Sequence, residues 1–377
     1  MTPGSATSIL LSANTSWYLY NFRRNLINEL VRRGIKVTIA APDNTYAADL
    51  IALGCHIVEI SMDNRGTNPF RDSLTLLRYL NLYATLRPDC ALHFTIKPVV
   101  YGSIASTYFG IPTINTITGL GSSFLGNAMI RGLSRFLLRA SMRKSNFVVF
   151  QNHSDSIYFL ERNLVKETQI IRVSGSGVDL THFAREPYPE HNRDRFVLIA
   201  RMLTDKGVRE FVGCAKQCRN NSVDADFVLA GPLESAHSGG IPESEITEWV
   251  NSGYVSYIPK QGDIRPCIAR ATCVVLPSYR EGMARVLMEA CAMARPVIAT
   301  DVPGCSDIVQ PYRNGLLCQP RDSLSLYAKV KEFIEMSKAQ KKEMGNTARL
   351  IAEELFSDQN VNHRYLSLIN KILNLAE

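Results

Sequence analysis

The strongest constraint on the fold is an alternation that runs along the chain twice. Short apolar runs stand at 8–11, 37–41, 56–60, 90–96, 113–116 and 147–150. Stretches with helical periodicity fall between them, from the polar turn Ser12–Ser16 to Arg33 with Gly34 as the stop, then at 69–86, 99–109, 128–143 and 154–164. After a polar, Pro-containing break, AREPYPEHNRDR, the pattern restarts. Strands are expected at 196–200, 226–230, 255–258, 272–276 and 296–300. Helices are expected from Val208, at 243–251, at 264–269 and from Met283, and the last forty residues read as helical throughout. Strands that alternate with helices predict parallel sheets covered on both faces. The expected fold class is therefore α/β, with two doubly wound, Rossmann-like domains facing across a cleft. The expected boundaries are 1–184, a linker at 185–195, 196–356, and a C-terminal helix at 357–377 that packs back on the first domain. A length of 377 residues suits two such domains. Ligands of these sheets bind beyond the carboxyl ends of the strands.

One such end carries chemistry. The strand Cys273-Val274-Val275-Leu276-Pro277 runs into Ser278-Tyr279-Arg280-Glu281-Gly282-Met283-Ala284-Arg285-Val286-Leu287-Met288-Glu289. A strand, a glycine turn and a helix N-terminus make an anion site, because first-turn N–H groups lack helical partners. Glu281 sits at the mouth of that turn. Glu289 lies about two turns on, roughly 9–12 Å away at 1.5 Å per residue. The spacing suits a ligand with hydroxyls at both ends and a diphosphate between them, but two ordinary helix glutamates would look the same. Arg201 directly follows the strand at 196–200, and Lys206 comes five residues later, on the same predicted edge. Two cations there could neutralise charge growing on a phosphate leaving group.

Other features narrow the classes. The nine cysteines include no Cys-x-x-Cys pair, which excludes an obvious zinc site or disulfide framework and fits a reducing compartment. Cys214 and Cys218, one helical turn apart, read as packing. No basic region precedes the first apolar run, and no stretch approaches about 18 apolar residues, so neither a signal peptide nor a membrane span is expected. The net charge is +7, and residues 1–190 hold 19 Lys/Arg against 13 Asp/Glu, which points that half at an anionic partner. In 127–144, NAMIRGLSRFLLRASMRK, Arg131, Arg135, Arg139 and Arg143 recur every fourth residue among bulky apolar ones. This helix could lie in an anionic membrane interface, where each cation adds about 1 kcal/mol. Equally, it could cover a core with its arginines in water. Trp17-Tyr18-Leu19-Tyr20 divides the same way between aromatic anchor and core packing. Asp224-Ala225-Asp226 has the form of a metal-binding Asp-x-Asp, but it opens a strand and so falls at the wrong sheet edge. No Gly-x-Gly-x-x-Gly follows the first strand, and Gly119-Leu120-Gly121 lacks the third glycine, which argues against a dinucleotide-dependent dehydrogenase.

The Glu281/Glu289 spacing, the Arg201/Lys206 pair and Pro296-Val297-Ile298-Ala299-Thr300-Asp301-Val302-Pro303-Gly304-Cys305 resemble the family 4 retaining glycosyltransferases of GT-B fold. Phe94-Thr95-Ile96-Lys97-Pro98-Val99-Val100-Tyr101-Gly102 and Thr116-Ile117-Thr118-Gly119-Leu120-Gly121 are similar to the branch that builds bacterial surface glycans on undecaprenyl diphosphate. The resemblance implies a nucleotide-sugar donor, UDP-linked, held by the second domain. It implies a lipid-linked saccharide acceptor at the first domain, which would face the membrane. It implies transfer with retention, no cofactor and no metal, no nucleic-acid partner, and a place on the inner face of the cytoplasmic membrane. By position, Arg201 and Lys206 match the diphosphate-binding pair, Glu281 the sugar-binding carboxylate and Glu289 the ribose-binding one. Gly282, Met283, Ala284 and Arg285 match the backbone at the phosphates, and Gly119 and Gly121 match an acceptor-side glycine turn. Two departures stand out. The first turn reads Ser12-Ala13-Asn14-Thr15-Ser16 where many relatives have glycines, leaving Asn14 and Thr15 to approach the donor. Lys97 stands near where many have a histidine, which by position puts it at the catalytic site on the acceptor side, while His93 reads as a packed strand residue. A nucleotide-sugar 2-epimerase and a non-catalytic binding protein share the fold and remain alternatives.

Overall fold

The computed structural model describes residues 7–63, 68–119, 128–190 and 192–375. The chain divides into unit 1, Met1–Ser176 with Gln359–Glu377, and unit 2, Gly177–Asp358.

Unit 1 holds strands β1 (Ser8–Ser12), β2 (Lys36–Ala41), β3 (His56–Glu59), β4 (Cys90–Phe94), β5 (Thr113–Ile117), β6 (Phe147–Phe150) and β7 (Ile170–Arg172). Its helices are α1 (Ser16–Arg32), α2 (Ala47–Ala52), α3 (Pro69–Leu86), α4 (Ser103–Tyr108), α5 (Ala128–Met142) and α6 (His153–Glu161). The sheet is parallel, in the order β3-β2-β1-β4-β5-β6-β7. Both faces are covered, so successive strand residues enter different cores. Ile9 and Leu11 join one with α1, whereas Leu10 joins another with Tyr79 and Tyr83 of α3. Each such buried side chain contributes about 1.5–3 kcal/mol.

Unit 2 holds β8 (Asp194–Ile199), β9 (Ala225–Ala230), β10 (Ser256–Ile258), β11 (Cys273–Leu276), β12 (Val297–Thr300) and β13 (Gly315–Cys318), ordered β10-β9-β8-β11-β12-β13. Its helices are α7 (Val208–Asn220), α8 (Glu243–Asn251), α9 (Arg265–Ala269), α10 (Arg285–Ala292), α11 (Ser323–Glu335) and α12 (Lys338–Ile351). The strand order repeats that of unit 1. Val197 of β8 faces one core and Phe196 and Leu198 the other. Cys214 and Cys218 are buried in the second of these cores.

Several sequence expectations are corrected. The expected linker at 185–195 belongs to unit 2 and is tied to it: the buried Arg295 guanidinium donates to the Glu186 and Pro187 carbonyls at 3.0 and 2.7 Å. The division between units falls instead at Ser176/Gly177. There Val178 N donates to Phe356 O (2.7 Å) and Asp358 N to Val178 O (3.1 Å), so the two passages of the chain run side by side. That pairing interrupts the helical run of the last forty residues, at the expected boundary between 356 and 357. After α12 comes a π-helical turn, Ala352–Phe356, and Ser357 is extended (φ −57°, ψ 131°). Helix α13 (Asp358–Leu373) follows and buries Tyr365 and Ile369 against α1 and β4 of unit 1. The expected helix at 99–109 opens as a π-helical turn, Pro98–Gly102, before α4.

Candidate functional site

In unit 2 the strand order reverses between β8 and β11, and the loops after these two strands meet at the carboxyl edge. The loop after β8 carries Arg201, then a single 3-10 turn, Thr204–Lys206, closed by Gly207 at φ 72°. Only glycine fits there, because a Cβ would lie 2.1 Å from the Pro277 carbonyl oxygen. From the other side, Ser278 Oγ and the Tyr279 amide donate to the Asp205 carbonyl at 2.9 and 2.8 Å. This backbone stitching brings Lys206 Nζ to 2.6 Å from Glu281 Oε1, with the side chains 18% and 15% exposed. Arg201 is exposed and makes no ion pair among the described residues.

The turn after Glu281 differs from expectation. Helix α10 begins at Arg285 rather than Met283, and its capping position, Ala284, offers no side chain to the first turn. The Ala284 amide, expected to face an anion, donates to Gly304 O at 2.9 Å, and the Glu281 amide donates to Pro303 O at 3.2 Å. The cause is Gly304, at φ 81°, where a Cβ would stand 2.5 Å from Glu281 O. The loop after β12 thus props the Glu281 turn, backbone against backbone. Met283 turns toward the unit 2 core. Gly282 lies in the turn itself.

Glu289 is 6% exposed, and its Oε1 accepts from Arg285 Nε at 2.7 Å. Burial pushes its carboxyl above the usual range, and Arg285 opposes the shift. A buried carboxylate with one charged neighbour is costly to hold, which marks the position as more than packing. The edge therefore carries two cations suited to an anionic group and one carboxylate, Glu281, suited to hydroxyls, with Glu289 about one turn into the helix that follows. Sequence reasoning missed the residues that build it: Asp205, Gly207, Ser278 and Gly304. The glycine after Lys206 and the Pro303-Gly304 pair after a strand were the available signals.

The matching edge of unit 1 is less charged. Thr15 caps α1, its Oγ1 accepting from Tyr18 N at 3.1 Å. The Asn14 amide, expected near a donor, is engaged by Thr95 Oγ1 at 3.1 Å. Lys97 is not a bare cation, because its Nζ lies 2.6 Å from Asp72 Oδ1. Gly119 has φ 134° just past β5, and Gly121 lies outside the described residues. His93 is fully buried in β4 between Tyr83 OH (2.6 Å) and Asn115 Oδ1 (2.8 Å), and burial pushes it down to about 4.

Asp224 and Asp226 stand at the amino end of β9, where Arg193 and Arg195 hold them at 3.0 and 3.3 Å. Among the described residues, no three His, Cys, Asp or Glu side chains gather as a metal site would require. On α5, Leu138 and Met142 are buried with Val148 and Phe150, while Arg135 and Arg139, and Arg143 just past its end, are exposed, as is Phe136 at 69%. The Arg131 side chain lies outside the described residues. Trp17 points outward while Tyr18 and Leu19 enter the core. No described helix is long and apolar enough to cross a membrane.

Comparison with known proteins follows the same division. Residues 193–336 match the family described as glycosyl transferases group 1, and residues 8–152 match the glycosyl transferase 4-like family. The chain is 25% identical over 374 residues to the N,N'-diacetylbacillosaminyl-diphospho-undecaprenol alpha-1,3-N-acetylgalactosaminyltransferase of Campylobacter jejuni, covering 94% of this chain and 96% of that protein. It is 24% identical to the capsular polysaccharide biosynthesis glycosyltransferase CapM of Staphylococcus aureus, covering 94% of each. Among solved structures, Anabaena Alr3699/HepE in complex with UDP superposes with a TM-score of 0.78 at 17% identity, covering 97% of this chain and 100% of that one.

Proposed function

The chain belongs to the group 1 and 4-like glycosyltransferases of GT-B fold, and from that premise we propose that it moves a sugar from a UDP-sugar to a polyprenyl-diphosphate-linked saccharide, with retention, in surface-glycan synthesis. The observation that carries this reading is the Lys206–Glu281 pair at the unit 2 switch point, with buried Glu289 on the next helix. Lys206 and Arg201 neutralise the charge that grows on the β-phosphate as the sugar bond breaks. Glu281 holds Lys206 in place and accepts from hydroxyls of the donor sugar. Glu289 accepts from the ribose hydroxyls. The acceptor hydroxyl attacks the face the diphosphate leaves, and the departing phosphate takes its proton. With two cations serving the diphosphate, the reaction runs without a metal, so turnover in excess EDTA is the expected result. Turnover lost to chelator and restored by magnesium or manganese contradicts that part. The acceptor named for the Campylobacter relative and the exposed arginines of α5 support work at the inner face of the cytoplasmic membrane.

The test is a panel of radiolabelled UDP-sugars against undecaprenyl-diphospho-sugar acceptors. Label should enter lipid, and UDP release should depend on added acceptor. UDP released without acceptor, with the sugar inverted at C2, would identify an epimerase instead.

A further inference from the structure

The segment from Thr95 to Gly102 departs repeatedly from ordinary geometry, at the edge of unit 1 where β1 and β4 part. Thr95 has φ 65°, a region that β-branched residues seldom enter. Such strain costs about 1–3 kcal/mol and gathers at ligand sites. The π-helical turn Pro98–Gly102 follows, a form that also recurs at functional sites. Lys97 at its start and Tyr101 within it converge on one carboxylate. Lys97 Nζ lies 2.6 Å from Asp72 Oδ1, the side chains are 11% and 14% exposed, and burial, with the nearby Asp72 charge, pushes the Tyr101 phenol up. Gly102 admits the buried His93 ring, whose Nε2 would be 2.6 Å from a Cβ there.

A brace between α3 and β4 needs none of this strain, and an ion pair taken this far out of water adds little net stability, because desolvation offsets the attraction. The chemistry of the cluster selects its ligand. Lys206 shares its edge with the exposed Arg201, whereas Lys97 is neutralised by Asp72 and no second cation stands in 95–102, so a phosphate is disfavoured there. A carboxylate next to an ammonium offers an acceptor and donors side by side. A sugar hydroxyl both donates and accepts, so neighbouring ring hydroxyls complement that arrangement.

We propose that Asp72, Lys97 and Tyr101 form a saccharide clamp in unit 1 that binds hydroxyls of the acceptor sugar. The inference rests on the glycosyltransferase reading and deepens it. Asp72 accepts from one sugar hydroxyl, Lys97 donates to its neighbour, and the Tyr101 hydroxyl fixes the carboxylate's orientation.

The experiment uses the full chain carrying Asp72→Asn, Lys97→Met, Lys97→Arg or Tyr101→Phe. Kinetics are measured with polyprenyl-diphospho-N-acetylhexosamine acceptors at saturating UDP-sugar, alongside UDP affinity by calorimetry and thermal unfolding. Loss of a charged hydrogen bond raises acceptor KM about tenfold or more for Asp72→Asn and Lys97→Met. Lys97→Arg recovers part of the loss, and Tyr101→Phe, which removes one oxygen and keeps the packing, shows a smaller rise. UDP affinity holds throughout. An unchanged acceptor KM with lowered thermal stability overturns the clamp in favour of a brace. UDP affinity falling in step with acceptor KM overturns it in favour of a donor role. A wild type that binds no UDP removes the reading of unit 2 and the clamp's acceptor with it, a pattern neither other outcome gives.

Discussion

Both units run a parallel sheet that reverses order at one point, and each sets a 2.6 Å lysine–carboxylate pair at the carboxyl edge there. They place the pair differently. In unit 2 it spans the crevice itself, from the loop after β8 to the loop after β11. In unit 1 the two crevice loops touch through a neutral bond, Asn14 N to Thr95 Oγ1, and the ion pair runs sideways to α3. Charge across a crevice, with Arg201 exposed nearby, suits a diphosphate. A neutral, strained crevice with a self-neutralised pair suits hydroxyls. On the proposed reading, one topology serves two ligand chemistries by moving one carboxylate from the facing loop to a neighbouring helix.

The largest expected effect separates the two pairs. Lys206→Ala or Glu281→Ala should lower kcat/KM for transfer by about 10²–10³. Lys97→Ala should cost less and act through acceptor KM. Equal losses, both in kcat, would erase the distinction.

Glycine substitutions come next. Gly304→Ala drives a methyl against Glu281 backbone that cannot turn aside, so UDP affinity should collapse, with about 1–3 kcal/mol of stability lost. Gly102→Ala presses on the His93 side chain instead. It should lower the unfolding temperature while sparing UDP affinity. Calorimetry and thermal unfolding on the two variants check this, and a Gly304→Ala protein with normal UDP affinity would free the Glu281 turn of its prop.

The units should also respond oppositely to pH. Burial lowers His93 from 6.5 to about 4, so the unfolded chain binds the extra proton first. Stability contributed at His93 is lost as pH falls from 6.5 towards 4, on the order of 3 kcal/mol in all. Burial raises Glu289 above 4.5, so the folded chain holds that proton longer, and stability falls as pH rises through 4.5. Unfolding curves of His93→Gln and Glu289→Gln across pH 4–7 should each lose one of these slopes. A wild-type slope that both variants retain would place the titration elsewhere.

The smallest effect concerns α5. Reversing Arg131, Arg135 and Arg139 to Glu should weaken flotation with phosphatidylglycerol vesicles by about 1 kcal/mol per lost cation, more at low salt. Equal flotation of the reversed variant would leave α5 a covering helix only.

How much could be read beforehand depended on the range of the interaction. Strands such as 147–150 and helices such as 243–251 were legible from local apolar spacing. The three-residue β7 was not, because Ile170–Arg172 is too short to show a period and exists by pairing with β6. Likewise β13, Gly-Leu-Leu-Cys, becomes a strand only beside β12. The boundary expected at 356/357 falls within a residue of the start of α13, but the pairing of Ser357 with Val178 was hidden, because the two are far apart in sequence. At the site, Lys206 and Glu281 could be picked out as charges at strand ends, but their direct pairing could not. Asp72 was invisible for the same reason: within α3 it reads as an ordinary first-turn acid, and only the fold brings Lys97 and Tyr101 to it.

The most direct test of the account is a crystal structure with UDP. The expected result is a diphosphate against Lys206 and Arg201, beside the Glu281 turn, with the ribose hydroxyls on Glu289. A nucleotide seated away from the β8–β11 edge, or bound with Glu289 untouched, would contradict the donor site drawn for unit 2.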